Sequence, residues 1–274
     1  MIGLISIPKL AALFAGVFPA LVQLAAPNET GVAMGHVHLI VADMEAGKKF
    51  WVTLGGEATT FGPFAMIKFP GALVLLKQAE PTGAAAGSVV DHVCFQVPNL
   101  AKALAAWKAA GLKTEPGRIA EQAYVITPDD LLRVEVTEVP SLTVPIAFHH
   151  VHFFVGENGL GGANSVAEMQ AWYARTFGAK PGKRMHFDAA DVPGANLTFS
   201  KAAAPTAGTV GRAIDHISFE IADLPAFCRK LEAGGVHFDV PYTERPDLGT
   251  GFAFAFLTDP WGTKIECTQG VRNL

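Results

Sequence analysis

Four segments of the chain open with the same pattern, a histidine followed directly by a run of β-branched and other apolar residues. They begin at Gly35, Asp91, His149 and Asp215 and read GHVHLIV, DHVCFQV, HHVHFFV and DHISFEI. Apolar runs of this length and composition are typical of β-strands. The first segment resembles the third and the second resembles the fourth, so the pattern predicts a two-unit block that was duplicated.

A predicted helix follows each opening strand and stops at a glycine. The helices are expected at Met44–Leu54, Leu100–Ala110, Val166–Phe177 and Leu224–Ala233. Glycine is common just beyond a helix because it adopts a left-handed conformation without strain. Strand-like runs separated by turn residues then follow, among them Phe64–Phe69 with Ala72–Lys77, Ala123–Thr127 with Leu131–Thr137, and Phe252–Thr258 with Thr263–Thr268. The sequence therefore predicts an α+β fold of four βαβββ units.

The division of the chain follows from its turns and prolines. The turn sequence Pro-Gly-Ala occurs at residues 70–72 and again at 193–195, which supports the duplication. Val139–Pro145 contains two prolines, which interrupt sheets, and is the expected linker between the halves. We therefore expect two domains of two consecutive units each, at residues 32–139 and 146–272.

Residues 1–30 differ from the rest, because Ala11–Ala26 is an apolar stretch preceded by Lys9. Its length suits a secretory signal peptide and is short for a membrane-spanning helix. We expect export, and therefore a periplasmic or secreted protein whose mature domain has no membrane association. The alternative is a hydrophobic N-terminal helix packed on the fold of a cytoplasmic protein.

Composition excludes several classes of function. Half of the 274 residues are hydrophobic and 17% are charged, which is typical of a globular protein. The net charge of −4 gives no basic surface for nucleic acid. Cys94, Cys228 and Cys267 are too few and too scattered for a disulfide scaffold or a cysteine-rich zinc site.

The chain resembles the vicinal oxygen chelate superfamily, in which a βαβββ unit opens with a histidine and closes on a Pro-x-Gly turn before a glutamate. The superfamily includes glyoxalases, bleomycin- and fosfomycin-resistance proteins, methylmalonyl-CoA epimerases and extradiol dioxygenases. The likeness runs from about Gly35 to Gln269, and its most specific stretch is Thr258–Glu266, TDPWGTKIE. It implies that two units face each other in a half-open barrel around one metal, and the chain has room for two such barrels.

The resemblance also implies metal ligands on the opening and closing strands. Aligned openings place four histidines at the family's ligand positions: His36, His92, His150 and His216. Glu266 stands four residues after the turn glycine of the last unit, and Glu135 matches it if one inserted residue is allowed. The C-terminal half therefore offers His150, His216 and Glu266 to one metal, and the N-terminal half offers His36, His92 and Glu135.

Two histidines and one carboxylate form the facial triad of non-haem iron and leave positions open for substrate or dioxygen. The candidate ions are Fe²⁺, Mn²⁺, Zn²⁺ and Ni²⁺. The C-terminal triad is the better formed, because the match of Glu135 depends on an insertion. The alternative is that the histidines are satisfied core residues of a binding domain that has lost its metal.

The residues that distinguish the activities of the family are replaced in this chain. Phe256 stands where extradiol dioxygenases carry a tyrosine, and Leu75 and Thr198 stand where a glyoxalase I carries a second glutamate. Proton transfer is then expected from other groups near the metal. The candidates are His152, His186 and Tyr242, and His152 is favoured because it shares a strand face with His150.

These observations favour a metal-dependent, glyoxalase-like lyase or isomerase that chelates adjacent oxygens of a small substrate. An extradiol-type Fe²⁺ dioxygenase and a non-enzymatic ligand-binding or resistance protein are the alternatives. The expected partner is a small-molecule substrate, and a homodimer is compatible with the sequence.

Overall fold

The structure, a computed structural model, describes residues 24–156, 165–249 and 251–273. Most of the apolar N-terminal segment, on which the signal-peptide prediction rests, lies outside these ranges. Within them, no helix combines the length and the apolar character that crossing a membrane requires. The described residues form four successive βαβββ units.

Each unit has an opening strand, a helix and three further strands. Unit 1 comprises β1 (Val32–Val41), α1 (Met44–Leu54), β2 (Glu57–Phe61), β3 (Phe64–Phe69) and β4 (Ala72–Gln78). Unit 2 comprises β5 (Val90–Val97), α2 (Leu100–Ala109), β6 (Lys113–Pro116), β7 (Gln122–Ile126) and β8 (Arg133–Glu138). Unit 3 comprises β9 (Ala147–Val155), α3 (Val166–Phe177), β10 (Lys180–Arg184), β11 (Phe187–Val192) and β12 (Ala195–Lys201). Unit 4 comprises β13 (Ile214–Ile221), α4 (Leu224–Ala233), β14 (Val240–Glu244), β15 (Ala253–Thr258) and β16 (Lys264–Gln269).

The four helices start where a polar side chain caps them. Asp43, Asn99, Ser165 and Asp223 each accept hydrogen bonds from backbone amides of the first turn, and Ser165 forms a reciprocal capping box with Glu168. Three helices begin and end at the predicted residues, and the helix of unit 2 ends one residue earlier than predicted. The predicted α+β fold of βαβββ units is confirmed.

The units pair into two eight-stranded mixed sheets. In the first sheet, units 1 and 4 join through the antiparallel strands β1 and β13. In the second sheet, units 2 and 3 join through the antiparallel strands β5 and β9. Within each unit the opening strand lies parallel to the closing strand.

The expected pairing of the two units within each half does not occur. Each half of the chain contributes one unit to each sheet. Residues 32–139 therefore belong to both sheets, and so do residues 146–272. The physical reason is that all four opening strands carry the same apolar pattern, and such a pattern does not distinguish one antiparallel partner from another. The domain boundaries themselves stay a prediction.

The two repeated Pro-Gly turns tie the sheets together. The Pro193 carbonyl of the second sheet accepts a hydrogen bond from the Met34 amide of the first. The Pro70 carbonyl of the first sheet accepts one from the Phe148 amide of the second, and both contacts measure 2.8 Å. The repeated Pro-Gly turns therefore hydrogen-bond each sheet to the other, and we call this pair of contacts the clasp.

The two faces of the first sheet bury different sets of side chains. Along β4, Val74 and Leu76 belong to the main core, which also includes residues of the second sheet. Leu73 and Leu75 alternate with them and belong to a smaller apolar cluster on the opposite face, together with Leu24, Phe61, Met66, Phe252 and Val271. Every residue of β1 is buried, so polar side chains on this strand also lie in the interior.

Gly194→Ala should destabilise the protein more than Gly111→Ala. Both glycines have a left-handed φ, +89° and +87°, where an L-residue costs roughly 1–2 kcal/mol. A Cβ at Gly194 would also lie 3.0 Å from the Gly71 carbonyl oxygen, whereas a Cβ at Gly111 meets nothing within 4 Å. Urea unfolding should therefore show an additional loss of about 1 kcal/mol for Gly194→Ala. Equal losses would show that the clasp does not constrain the fold.

Candidate metal centre

His36, His216 and Glu266 converge where units 1 and 4 meet, on the sheet face that carries the smaller apolar cluster. Nε2 of His36 lies 3.0 Å, and Nε2 of His216 3.1 Å, from Oε2 of Glu266. Each residue is at most 8% exposed. Ligand atoms that each lie about 2.1 Å from one ion are about 3 Å apart, so the spacing of each imidazole from Glu266 suits a shared metal. We call these three residues site 1.

Both ring nitrogens of His216 face a carboxylate. Nδ1 lies 2.6 Å from Asp215 Oδ1, and Nε2 faces Glu266. Burial lowers the pKa of His216, but the hydrogen bonds to these two carboxylates outweigh burial and raise the pKa above its ordinary value. The ring is therefore satisfied either by a proton on each nitrogen or by a metal in place of the Nε2 proton. A carboxylate behind a metal-binding imidazole is the usual arrangement in metal sites.

His36 provides the test of whether a metal fits. Both of its ring nitrogens are buried without a hydrogen-bond partner among the described residues. Nε2 is close to Glu266, but an N–H there would not point at the carboxylate oxygen. Burial lowers the pKa of His36, so the ring is neutral. A buried imidazole nitrogen without a partner, beside a carboxylate, fits a divalent cation.

Glu266 supplies the negative charge of site 1. Burial alone would raise the pKa of this carboxyl group, but the interactions with His216 and His36 hold it well below its usual range. The carboxylate is therefore ionised at neutral pH. An ionised oxygen donor between two imidazole nitrogens is the donor set that Fe²⁺, Mn²⁺ and Zn²⁺ accept.

Site 1 forms one wall of an apolar cavity of about 150 Å³. The other walls consist of Phe61, Phe64, Leu75, Leu248, Phe252, Phe254, Phe256 and Val271. Phe256, at the predicted tyrosine position, packs edge-on against His216 with ring centroids 5.2 Å apart. Arg245 also borders the cavity, but its Nε and Nη2 donate to the two carboxylate oxygens of Asp247. The cavity therefore suits the apolar part of a small ligand.

His38 completes the wall and is not among the residues that the sequence predicts for the site. It pairs with His216 across β1 and β13 and with Leu75 across β1 and β4. Its ring centroid lies 4.4 Å from that of His216. Burial, together with the neighbouring His216 and His36, lowers the pKa of His38 well below its ordinary value, so the ring is neutral. The signal that identifies it is its spacing of two residues from His36, which places both side chains on one strand face.

The second sheet carries a related cluster of His92, His150 and Glu135, which we call site 2. Nε2 of His92 lies 2.8 Å, and Nε2 of His150 3.5 Å, from Oε2 of Glu135. Nδ1 of His92 lies 2.7 Å from Asp91, as Nδ1 of His216 faces a carboxylate in site 1. Burial lowers the pKa of His92, but the hydrogen bonds to Asp91 and Glu135 give a net rise.

The structure brings the six predicted ligands together in different sets from those that the sequence predicts. His36, rather than His150, joins His216 and Glu266, while His150 belongs to site 2. The predicted C-terminal and N-terminal triads are therefore wrong as sets, although all six residues lie in one of the two sites. The reason is the strand order, because β13 pairs with β1 and β9 pairs with β5.

The three predicted proton-transfer residues lie in different places. His152 is buried beside site 2, and its Nε2 lies 2.8 Å from Ser200 Oγ. His186 is exposed in the turn between β10 and β11. The Tyr242 hydroxyl donates to Glu244 at 2.9 Å, and its ring packs against the main core. The structure thus brings His152 to a site and leaves His186 and Tyr242 outside both sites, and their roles stay predictions.

Known proteins share this architecture. Residues 162–267 match the model of the Glyoxalase/Bleomycin resistance protein/Dioxygenase superfamily. The crystal structure of glyoxalase I from Zea mays is similar, with a TM-score of 0.66 and 16% identity over 88% of this chain and 94% of that chain. A Bacillus subtilis protein assigned provisionally as a dioxygenase gives a TM-score of 0.65 and 14% identity over 90% of this chain and 86% of that chain. At these identities the two structures show the fold alone. No curated protein matches the sequence.

Asp215→Asn should weaken metal binding at site 1 by about 10- to 100-fold, because an amide orients the His216 ring less firmly and makes it a weaker donor. Titration calorimetry of the metal-free protein with Zn²⁺ measures the affinity. Asp91→Asn is the matched control, since it alters the corresponding contact of site 2 and should leave the affinity of site 1 unchanged. An unchanged affinity in Asp215→Asn would contradict the role of His216 as a ligand.

Proposed function

We propose that the protein is a metal-dependent enzyme, a glyoxalase-like lyase or isomerase, and the match of residues 162–267 to the Glyoxalase/Bleomycin resistance protein/Dioxygenase superfamily model supports this. Its substrate is a small molecule with two adjacent oxygens, which binds at site 1. The observation that carries the proposal is the convergence of His36, His216 and Glu266 on the wall of an apolar cavity.

The residues of site 1 would hold one divalent ion and leave room for the substrate. His36 and His216 offer imidazole nitrogens, and Glu266 offers a carboxylate oxygen. Leu75 occupies the position of a fourth family ligand and offers no donor atom, so coordination positions face the cavity. A bound divalent ion supplies Lewis acidity that stabilises negative charge on a substrate oxygen.

The cavity sets limits on the substrate. Its phenylalanine and leucine side chains exclude water and favour a compact apolar group beside the chelating oxygens. Arg245 forms an ion pair with Asp247, so we do not expect this wall of the cavity to select for an anionic substrate. The best candidates are small α-hydroxyketones or hemithioacetals that carry an alkyl or aryl substituent.

His38 is the group that moves a proton in this proposal. Its imidazole lines the same cavity as site 1, where it can accept a proton from the carbon next to the chelating oxygens, and the nearby carboxylates of Glu266 and Asp215 favour the protonated ring. His38→Ala should therefore lower turnover by about 10²- to 10⁴-fold. The measurement is deuterium incorporation from D₂O into α-hydroxyketones, followed by NMR. His186→Ala is the control, because this exposed histidine lies outside the site, and it should keep full activity.

One result would overturn the proposal, and another would overturn only its proton acceptor. Purified protein that binds no Zn²⁺, Mn²⁺, Ni²⁺ or Fe²⁺ would exclude a metal-dependent reaction at site 1. Equal exchange rates in wild type and His38→Ala would remove the proposed proton acceptor while leaving the metal site in place.

A second candidate, an extradiol-type Fe²⁺ dioxygenase, is favoured by the two-histidine, one-carboxylate set and by the aromatic cavity. Phe256 weakens it, because a phenyl ring beside His216 cannot hydrogen-bond a phenolic oxygen. Oxygen uptake by the Fe²⁺-loaded protein with catechols separates the two candidates, since a lyase or isomerase consumes no dioxygen.

A further inference from the structure

Site 2 contains a cation of its own, the guanidinium group of Arg184. Nη2 of Arg184 lies 3.4 Å from Nε2 of His150, and its Nε donates to Thr198 Oγ1 at 2.9 Å. Thr198 lies on β12, next to the opening strand of unit 3. The guanidinium is therefore fixed at two points and faces the cluster.

The contact with His150 occupies the lone pair that a metal would need. A guanidinium group only donates hydrogen bonds, so Nε2 of His150 is the acceptor. The proton of the neutral ring is then on Nδ1, which lies 2.9 Å from Nδ1 of His149. This arrangement satisfies both nitrogens of the buried ring without a metal.

The corresponding place in site 1 is apolar. Arg184 faces Phe187 across the turn between β10 and β11, and Phe61 faces Phe64 across the turn between β2 and β3 in the same way. The histidine of site 1 that corresponds to His150 is His36, whose Nε2 has no hydrogen-bond partner among the described residues. The two sites thus share their histidines and glutamate but differ where an arginine replaces a phenylalanine.

A metal and Arg184 are competing occupants of site 2. An ion bound to His150 Nε2 would lie within a few ångström of the guanidinium group, and like charges repel strongly in a buried site. Glu135 supplies a single buried carboxylate to balance them. We propose, resting on the proposed function, that Arg184 takes the place of the metal in site 2, so that the chain holds one metal, in site 1.

Arg184→Met tests the proposal by creating a second metal site. The variant keeps an unbranched, flexible side chain but removes the charge and the hydrogen-bond donors. After loading with Co²⁺ and removal of free metal, elemental analysis should find about one ion per wild-type chain and about two per variant chain. Arg133→Met is the matched control, because Arg133 lies in the same sheet but stacks on Tyr124 and pairs with Glu115, and it should stay at about one ion.

A double variant locates the additional ion. Arg184→Met combined with Glu135→Gln should return to about one Co²⁺ per chain, because the added site loses its carboxylate. Arg184→Lys, which keeps the positive charge, should also stay at about one. Circular dichroism establishes that each variant is folded, and Arg184→Gln replaces the methionine variant if the latter does not fold.

The outcomes separate this inference from the proposed function. About two ions in wild type, or a folded Arg184→Met with unchanged stoichiometry, would overturn the inference and leave the function intact. No ion in wild type with about one in Arg184→Met would support the inference and contradict the proposed function. No ion in either protein would overturn both.

Discussion

The antiparallel pairing of β1 with β13 is the constraint on which site 1 depends. One strand opens the first unit and the other opens the last, so His36 meets His216 and Glu266 only when the two ends of the folded chain come together. Closing such a long loop costs conformational entropy. The burial of every residue of β1 offsets that cost. Metal binding at site 1 would therefore depend on the complete fold and not on either half of the chain alone.

The buried carboxylates explain why the two sites differ in chemistry although they share a plan. An ionised group in the interior is costly unless a positive charge or several hydrogen bonds accompany it. Glu266 and Glu135 each have two imidazole neighbours, and each of those pairs includes one histidine held by an aspartate. The two sites differ in their other neighbours. Site 1 borders an apolar cavity and suits a metal, whereas in site 2 the guanidinium group of Arg184 contacts His150.

Local structure could be predicted from the sequence, because its signals are local. Capping residues and glycines define the helices, and three of the four have the predicted bounds. All six predicted ligands lie in a site, since each opening strand carries its histidine at the same position and Glu135 and Glu266 lie on the closing strands beside them. Strand order could not be predicted, because the four opening strands share one apolar pattern, and for this reason the sequence groups His150 with the wrong partners. The role of Arg184 could not be predicted for a related reason: it lies on β10, at the edge of the second sheet, and only the fold brings it to His150.

Anomalous diffraction from crystals of the Co²⁺-loaded protein, collected at the cobalt absorption edge, tests the central claim most directly. We expect a strong peak between Nε2 of His36, Nε2 of His216 and the carboxylate of Glu266, at about 2.1 Å from each ligand atom. A fully loaded crystal with no anomalous density there, or with its peak among the histidines of site 2 alone, would contradict it.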